Sequence, residues 1–292
     1  MIEKGNVRQS HIVVPLDGSP LAETILPYAA ALARAESAKL TLLHIIPPFS
    51  SLGIMSMPTP ENWFDQEMAW TQNYLANVAQ RLTQEVGIRV QTEVLDGDPA
   101  TEIISYAHHD HNITLNAMAT HGLGSGYRWR FGSVTAKVLH EMPTSMLLLR
   151  PRGKGHAPAR PVSYHTILVP LDGSPVAEQA LEEAQRIATK VGASLLLLAV
   201  MPASRESTAS EYLERTAQQL RVQGLTVETP VIPRHTLEEL PQIGMGLQNH
   251  AGMVIMTSPG RDSVEQLLLK SVAEKFLQYS EVPVLLTRAQ AY

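Results

Sequence analysis

The chain has 292 residues, 44% of them hydrophobic and 17% charged, and a net charge of −5 at pH 7. That length predicts two globular domains of about 100–150 residues each, and the negative balance gives no general attraction for nucleic acid or an anionic membrane. The absence of cysteine excludes disulfides, thiolate catalysis and cysteine metal sites. The opening MIEKGNVRQS has no apolar signal core, and the longest apolar run, Leu195 to Pro202, is far too short to span a bilayer. A cytoplasmic location is expected.

His11 to Leu16 is a short β-branched run that predicts a buried strand. Asp17-Gly18-Ser19-Pro20 breaks it, with Ser19 suited to cap a helix and Pro20 to its first position. Ile25, Leu26, Ala29, Leu32 and Ala33 then mark one apolar helical face. Lys39 to Ile46 predicts a second strand. Pro47 to Asn62 is a Met- and Pro-rich loop, readable as plain surface or as a lid. Leu75, Val78, Leu82 and Val86 recur at helical spacing before a stop at Gly87. Arg89 to Leu95 alternates like a strand, and Asp98-Pro99 starts a helix. Ile113 to Ala119 is a fourth strand, Ser133 to Glu141 a fourth helix, and Ser145 to Leu149 a fifth strand.

The second half repeats the first. VPLDGSP stands at Val14 to Pro20 and again at Val169 to Pro175, an offset of 155 positions, which indicates duplication. TILVPL, SLLLLAV, LTVETPV, GMVIMT and PVLLT supply strands at matching places. Strands alternating with helices predict two doubly wound, Rossmann-like α/β domains with parallel sheets. The first spans residues 1–151 and the second 163–292, joined by a Pro- and Gly-rich linker over 152–162. The offset falls to 138 at Gly122 and Gly260, because the second half lacks most of the Met- and Pro-rich loop.

Ligands of open parallel sheets bind beyond the carboxyl ends of strands, where strand order reverses. Asp17 and Asp172 fall there. A carboxylate accepts hydrogen bonds only, so it suits ribose hydroxyls or a base amino group; it equally suits a turn that caps the first helix. Ala119 to Val134, ATHGLGSGYRWRFGSV, follows the fourth strand. Its glycines permit close backbone approach, and Gly132-Ser133 opens a helix whose first amides attract anions. A phosphate cradle and a glycine-rich loop with Ser133 as an ordinary cap both fit these residues.

The order VPLDGSP, LTLLHIIP, GDPATEII, then MATHG with nine residues between Gly122 and Gly132-Ser133 resembles the universal stress protein family. The likeness covers nearly all of the first half and, more faintly, the second, as in a tandem member of that family. The resemblance implies the adenine nucleotide alpha hydrolase-like fold and an ATP site with Mg²⁺ carried mainly on phosphate oxygens and water. It implies that Asp17 holds the adenosine part and the Ile45 backbone meets the adenine edge. Amides around Gly122, Gly132, Ser133 and Val134 would hold the phosphates, with Pro15, Ala119 and His121 completing the site. Ala119 stands where the family motif has its first glycine.

The second half departs from that motif. Thr257, Pro259 and Lys270 replace Ala119, His121 and Gly132, while Gly260 and Ser271 remain. Lys270 brings bulk, and strain if the position needs positive φ; Pro259 removes an amide. The second site is therefore expected to be weakened or lost, the rival being that the Lys270 ammonium holds a phosphate itself. Other patterns carry less. His108 to His111, HHDH, suits a helix end better than a metal. The Tyr127 to Phe131 run, YRWRF, suits surface packing or a polyphosphate neighbour better than nucleic acid. Asn116, inside a strand, needs a hydrogen-bond partner. No catalytic residue and no metal site stands out.

The expected function is an ATP-binding stress-response regulator with the nucleotide in the first half. The second half would be a pseudo-dimer partner through pairing of the two fifth strands within the chain, with a homodimer of chains as a further expectation. A slow ATPase and a nucleotide-free interaction module are the alternatives. No nucleic-acid or membrane partner is expected.

Overall fold

The computed structural model describes residues 9–52, 61–121, 131–151, 162–200, 206–230, 252–258, 266–280 and 282–289. The described residues up to Thr144 form one compact unit, and those from Ser145 onward a second.

In the first unit β1 (His11–Pro15), α1 (Pro20–Glu23), α2 (Leu26–Glu36), β2 (Lys39–Ile46), α3 (Trp63–Val86), β3 (Val90–Asp96), α4 (Pro99–His109), β4 (Ile113–Ala119) and α5 (Ser133–Glu141) alternate. All four strands are parallel, in the order β3-β2-β1-β4, so strand order reverses between β1 and β4. Central β1 is buried throughout, whereas β3, at the edge, is largely exposed. Val13, Val14, Leu42, Leu43 and Leu75 lie in the core. α2 and α3 pack on each other and on β2, and α4 packs on α5, which puts helices in two separate layers.

The first helix differs from its expected single run. It breaks into α1 and α2, with Pro27 in the first turn of α2. Proline has no N–H and its ring clashes with the carbonyl four residues back, so a helix from Pro20 cannot run through it. Thr24 closes the first piece through its hydroxyl to Leu21 O, at 2.6 Å. The second half has no proline there, and its helix is continuous.

That second unit holds β5 (Ser145–Leu149), β6 (Thr166–Leu171), α6 (Pro175–Val191), β7 (Ser194–Ala199), α7 (Glu206–Val222), β8 (Val227–Glu228), β9 (Met253–Ser258), α8 (Gln266–Tyr279) and β10 (Val284–Arg288). β10, β9, β6, β7 and β8 are parallel neighbours in that order. β5 adds antiparallel to β10, with Val284 opposite Leu148 and Leu286 opposite Met146. Arg150 donates to Gln278 O just beyond. β8 keeps only two residues of the strand expected over 225–231, because Pro230 has no N–H to extend the ladder. Phe276, Leu195, Leu197 and Val254 centre this core. Asn116 in β4 donates to the Thr144 hydroxyl at 2.9 Å, while its Oδ1 has no partner.

Candidate functional site

The reversal of strand order places two chain segments side by side at the carboxyl ends of β1 and β4: the turn Asp17–Ser19, and the start of α5. The turn is built by its own residues. Gly18 takes φ +81°, a conformation that favours glycine. Asp17 Oδ1 accepts the Ser19 N–H at 2.9 Å and the Ser19 hydroxyl at 2.6 Å. Ser19 Oγ accepts the Ala22 N–H at 3.1 Å and so caps α1. The second copy repeats this: Gly173 has φ +80°, Asp172 Oδ1 accepts the Ser174 N–H at 2.9 Å, and Ser174 Oγ accepts the Ala177 N–H at 3.1 Å. The duplicated VPLDGSP is thus the same capped strand-to-helix turn in each half, and it does not distinguish them. Pro15 is buried at the end of β1 opposite Leu43, and Ile45 lies two residues further along β2, buried.

The far wall is tied to β4. The Gly132 N–H donates to Thr120 O at 2.8 Å, and the Thr135 hydroxyl donates to Ala119 O at 3.3 Å. Ala119 is buried and closes β4, while His121 is half-buried, its Nδ1 2.9 Å from the Thr120 hydroxyl. Gly132 is the cap residue of α5, Ser133 its first residue and Val134 its second. The Gly132 amide is therefore engaged. The next amides, of Ser133, Val134 and Thr135, head a helix and have no intrahelical acceptor. Ser133 is exposed. Thr135, which fixes this turn, was not singled out from sequence, although its place two residues after Ser133 puts it on the buried face. Gly122 lies outside the described residues, as do Tyr127 to Arg130.

Two expectations about the second half change. Gly132 has φ −62°, open to any residue, and a Cβ there would stand 3.4 Å from Thr120 O. Strain therefore does not separate glycine from lysine at this position. Helix register does. α5 begins at Ser133, but α8 is already helical at Gln266, so Lys270 and Ser271 sit inside the helix with acceptors behind them. Ser271 heads no helix. The Lys270 side chain, Pro259 and Gly260 lie outside what is described.

A group that the sequence did not flag borders the Asp17 turn. Trp70 and Tyr74 of α3 stack, their centroids 5.4 Å apart and planes 3° apart, and His44 of β2 meets both edge-on at 6.2 and 6.4 Å. A Cβ on Gly18 would stand 2.6 Å from Trp70 Cη2, so the indole edge rests on the turn. The Tyr74 hydroxyl donates to Glu23 at 3.1 Å, and Arg81 clamps the same carboxylate. Burial pulls the His44 pKa below its ordinary value, against the opposing influence of Asp17 and a backbone bond to Leu16. His44 is 4% exposed and its Nδ1 has no partner. The helical spacing of Trp70 and Tyr74 was legible, but their meeting with His44 depends on how α3 packs over β2.

At the opposite, amino edge of the sheet, His11 bridges Asp110 and Thr41 in a buried network. Of the HHDH run, His108 and His109 end α4 and Asp110 caps it. Among the described residues no three His, Asp or Glu side chains are arranged to hold a metal, and no helix is long and apolar enough to cross a membrane.

The model of the universal stress protein family matches residues 9–150, 163–238 and 247–288. A universal stress protein of Mycolicibacterium smegmatis is 24% identical over 95% of this chain and 96% of its own. One from Mycobacterium tuberculosis is 23% identical over 96% of this chain and 98% of its own. Among solved structures, a universal stress protein from Archaeoglobus fulgidus shares the fold with a TM-score of 0.74 at 22% identity, covering 95% of this chain and 98% of the other. With most of both halves matched, this chain belongs to the universal stress protein family.

Proposed function

We propose that the N-terminal unit binds ATP and that the protein acts as a nucleotide-dependent regulator in a stress response, with the C-terminal unit as its pseudo-dimer partner. The observation that carries this reading is the row of amides at Ser133, Val134 and Thr135, beside the Asp17 turn where strand order reverses. Helix-heading amides favour negative charge, and the bonds from Gly132 and Thr135 to the end of β4 hold them in place before any ligand arrives. Asp17 supplies a carboxylate on the neighbouring turn for ribose or base donors. Mg²⁺ would sit on phosphate oxygens and water rather than on a protein cage. In the second unit the helix already runs through the corresponding point, so the amides at Lys270 and Ser271 have intrahelical acceptors.

Equilibrium titration of ATP against the purified full chain tests this. Saturable binding at one site per chain is expected, lost in Gly132→Lys and kept in Lys270→Gly. Absence of binding in the unaltered protein overturns the reading.

A further inference from the structure

We infer that Trp70 is a stacking platform for the base of a nucleotide held in the N-terminal unit; this rests on the reading of that unit as the nucleotide site. The argument starts from chain direction. α3 follows β2 and leads to parallel β3, so it must run opposite to the strands, and its first turns lie at the carboxyl edge where ligands of such sheets bind. Tyr74 is one helical turn further along and covers one face of the indole. The other face therefore looks back toward the carboxyl edge. Trp70 is 49% exposed, as one covered and one open face require.

The platform is held rigidly. Tyr74 is fixed from behind by Glu23 and Arg81, His44 packs edge-on against both rings, and the indole edge rests on Gly18, the neighbour of Asp17. A side chain already in place loses little freedom when a ligand arrives.

Comparison of the two halves points the same way. The offset of 155 pairs His44 with Ala199, and the offset of 138 pairs Trp70 with Thr208 while keeping Tyr74 as Tyr212. Tyr212 still bonds the second copy of Glu23, Glu178, at 2.9 Å. The scaffold of the platform is thus present twice, but the indole and the histidine beneath it occur only where α5 leaves its first amides open. A purely structural cap would be wanted in both halves. His44 also keeps a buried nitrogen without a partner, which is costly to leave so and which the second half avoids.

The test compares ATP with inorganic tripolyphosphate, which has the charge but no base. In Trp70→Thr the affinity for ATP falls by roughly tenfold or more, the range for loss of a base–aromatic stack, while affinity for tripolyphosphate stays as it was; Trp70→Phe keeps most of the ATP affinity. Should Trp70→Thr unfold, the chain carrying Trp63→Phe and Trp129→Phe leaves Trp70 as the sole indole, and its fluorescence responds to ATP but not to tripolyphosphate. ATP binding with unaltered affinity in Trp70→Thr, or with no response from Trp70, overturns the platform and leaves the nucleotide site standing. Failure of the unaltered protein to bind either probe overturns the site itself and the platform with it.

Discussion

His11 Nδ1 lies 3.0 Å from Asp110 Oδ2, in a place where the histidine is 1% exposed. A carboxylate only accepts, so Nδ1 carries the proton and Nε2 takes the Thr41 hydroxyl at 2.8 Å. The bond joins the start of β1 to the end of α4 and to β2. Burial, then the nearby Lys39 charge, lowers the His11 pKa below its ordinary 6.5, and Asp110 only partly restores it. His44 is shifted the same way.

A sign for acid stability follows from those two histidines. Their folded pKa values lie below the unfolded value, so between the two the unfolded chain binds more protons. Their stabilising contribution is complete above about pH 6.5 and is lost as pH falls through the folded values. The slope is at most about 1.4 kcal/mol per pH unit for each group. Urea unfolding midpoints measured from pH 8 to 5 should fall below pH 6.5. A flat profile would contradict the buried, neutral state of both rings.

Removing either turn carboxylate separates folding from binding. Asp17→Ala and Asp172→Ala each delete the acceptor that orders the serine cap, and each should cost about 1–2 kcal/mol. Chemical denaturation is expected to show similar losses. ATP affinity should drop only with Asp17→Ala; equal drops would mean that both units bind.

Gly132 should accept a methyl group, whereas a long charged chain there should keep the fold and block ATP. Its φ of −62° and the 3.4 Å clearance to Thr120 O leave Gly132→Ala folded, with ATP affinity within a few-fold of the original. Gly132→Lys should keep its melting temperature within a few degrees and lose ATP binding. Retained affinity in the lysine variant would show that phosphate sits elsewhere.

Gly18 is constrained twice, by backbone and by indole. Its φ of +81° penalises any Cβ by about 1–2 kcal/mol, and Trp70 blocks the same space at 2.6 Å. Gly18→Ala should therefore destabilise more than the backbone term alone. In the Trp70→Ala background the cost should shrink to that term, which a double-mutant cycle in urea measures.

Most of the strands and helices were legible because their patterns are local: the buried runs of β1, β2 and β4, the apolar stripe of α3, and the caps at Ser19, Asp98 and Gly87. What escaped was set by other elements. Pro27 lies in an apolar helical stripe and breaks it, a stereochemical veto that periodicity does not register. The head of α5 falls at Ser133 as its sequence suggested, but the Gly132 N–H, grouped with the free amides there, serves Thr120 O instead. The second copy was expected to be weakened by lysine bulk and strain; the φ at Gly132 removes the strain, and the helix of that half begins earlier. His11, His44 and Trp70 gave no signal because each acquires its meaning from a partner 26 to 99 positions away.

The antiparallel seat of β5 on β10 means that the repeat in the sequence is not the unit that can be cut out. A fragment beginning at residue 163 would carry every second-half motif yet arrive with one side of β10 stripped of its hydrogen-bonding neighbour. Such a bare side invites a strand from another molecule. That fragment should self-associate on a sizing column, whereas a cut at Ser145 leaves β10 with the neighbour it has in the whole chain.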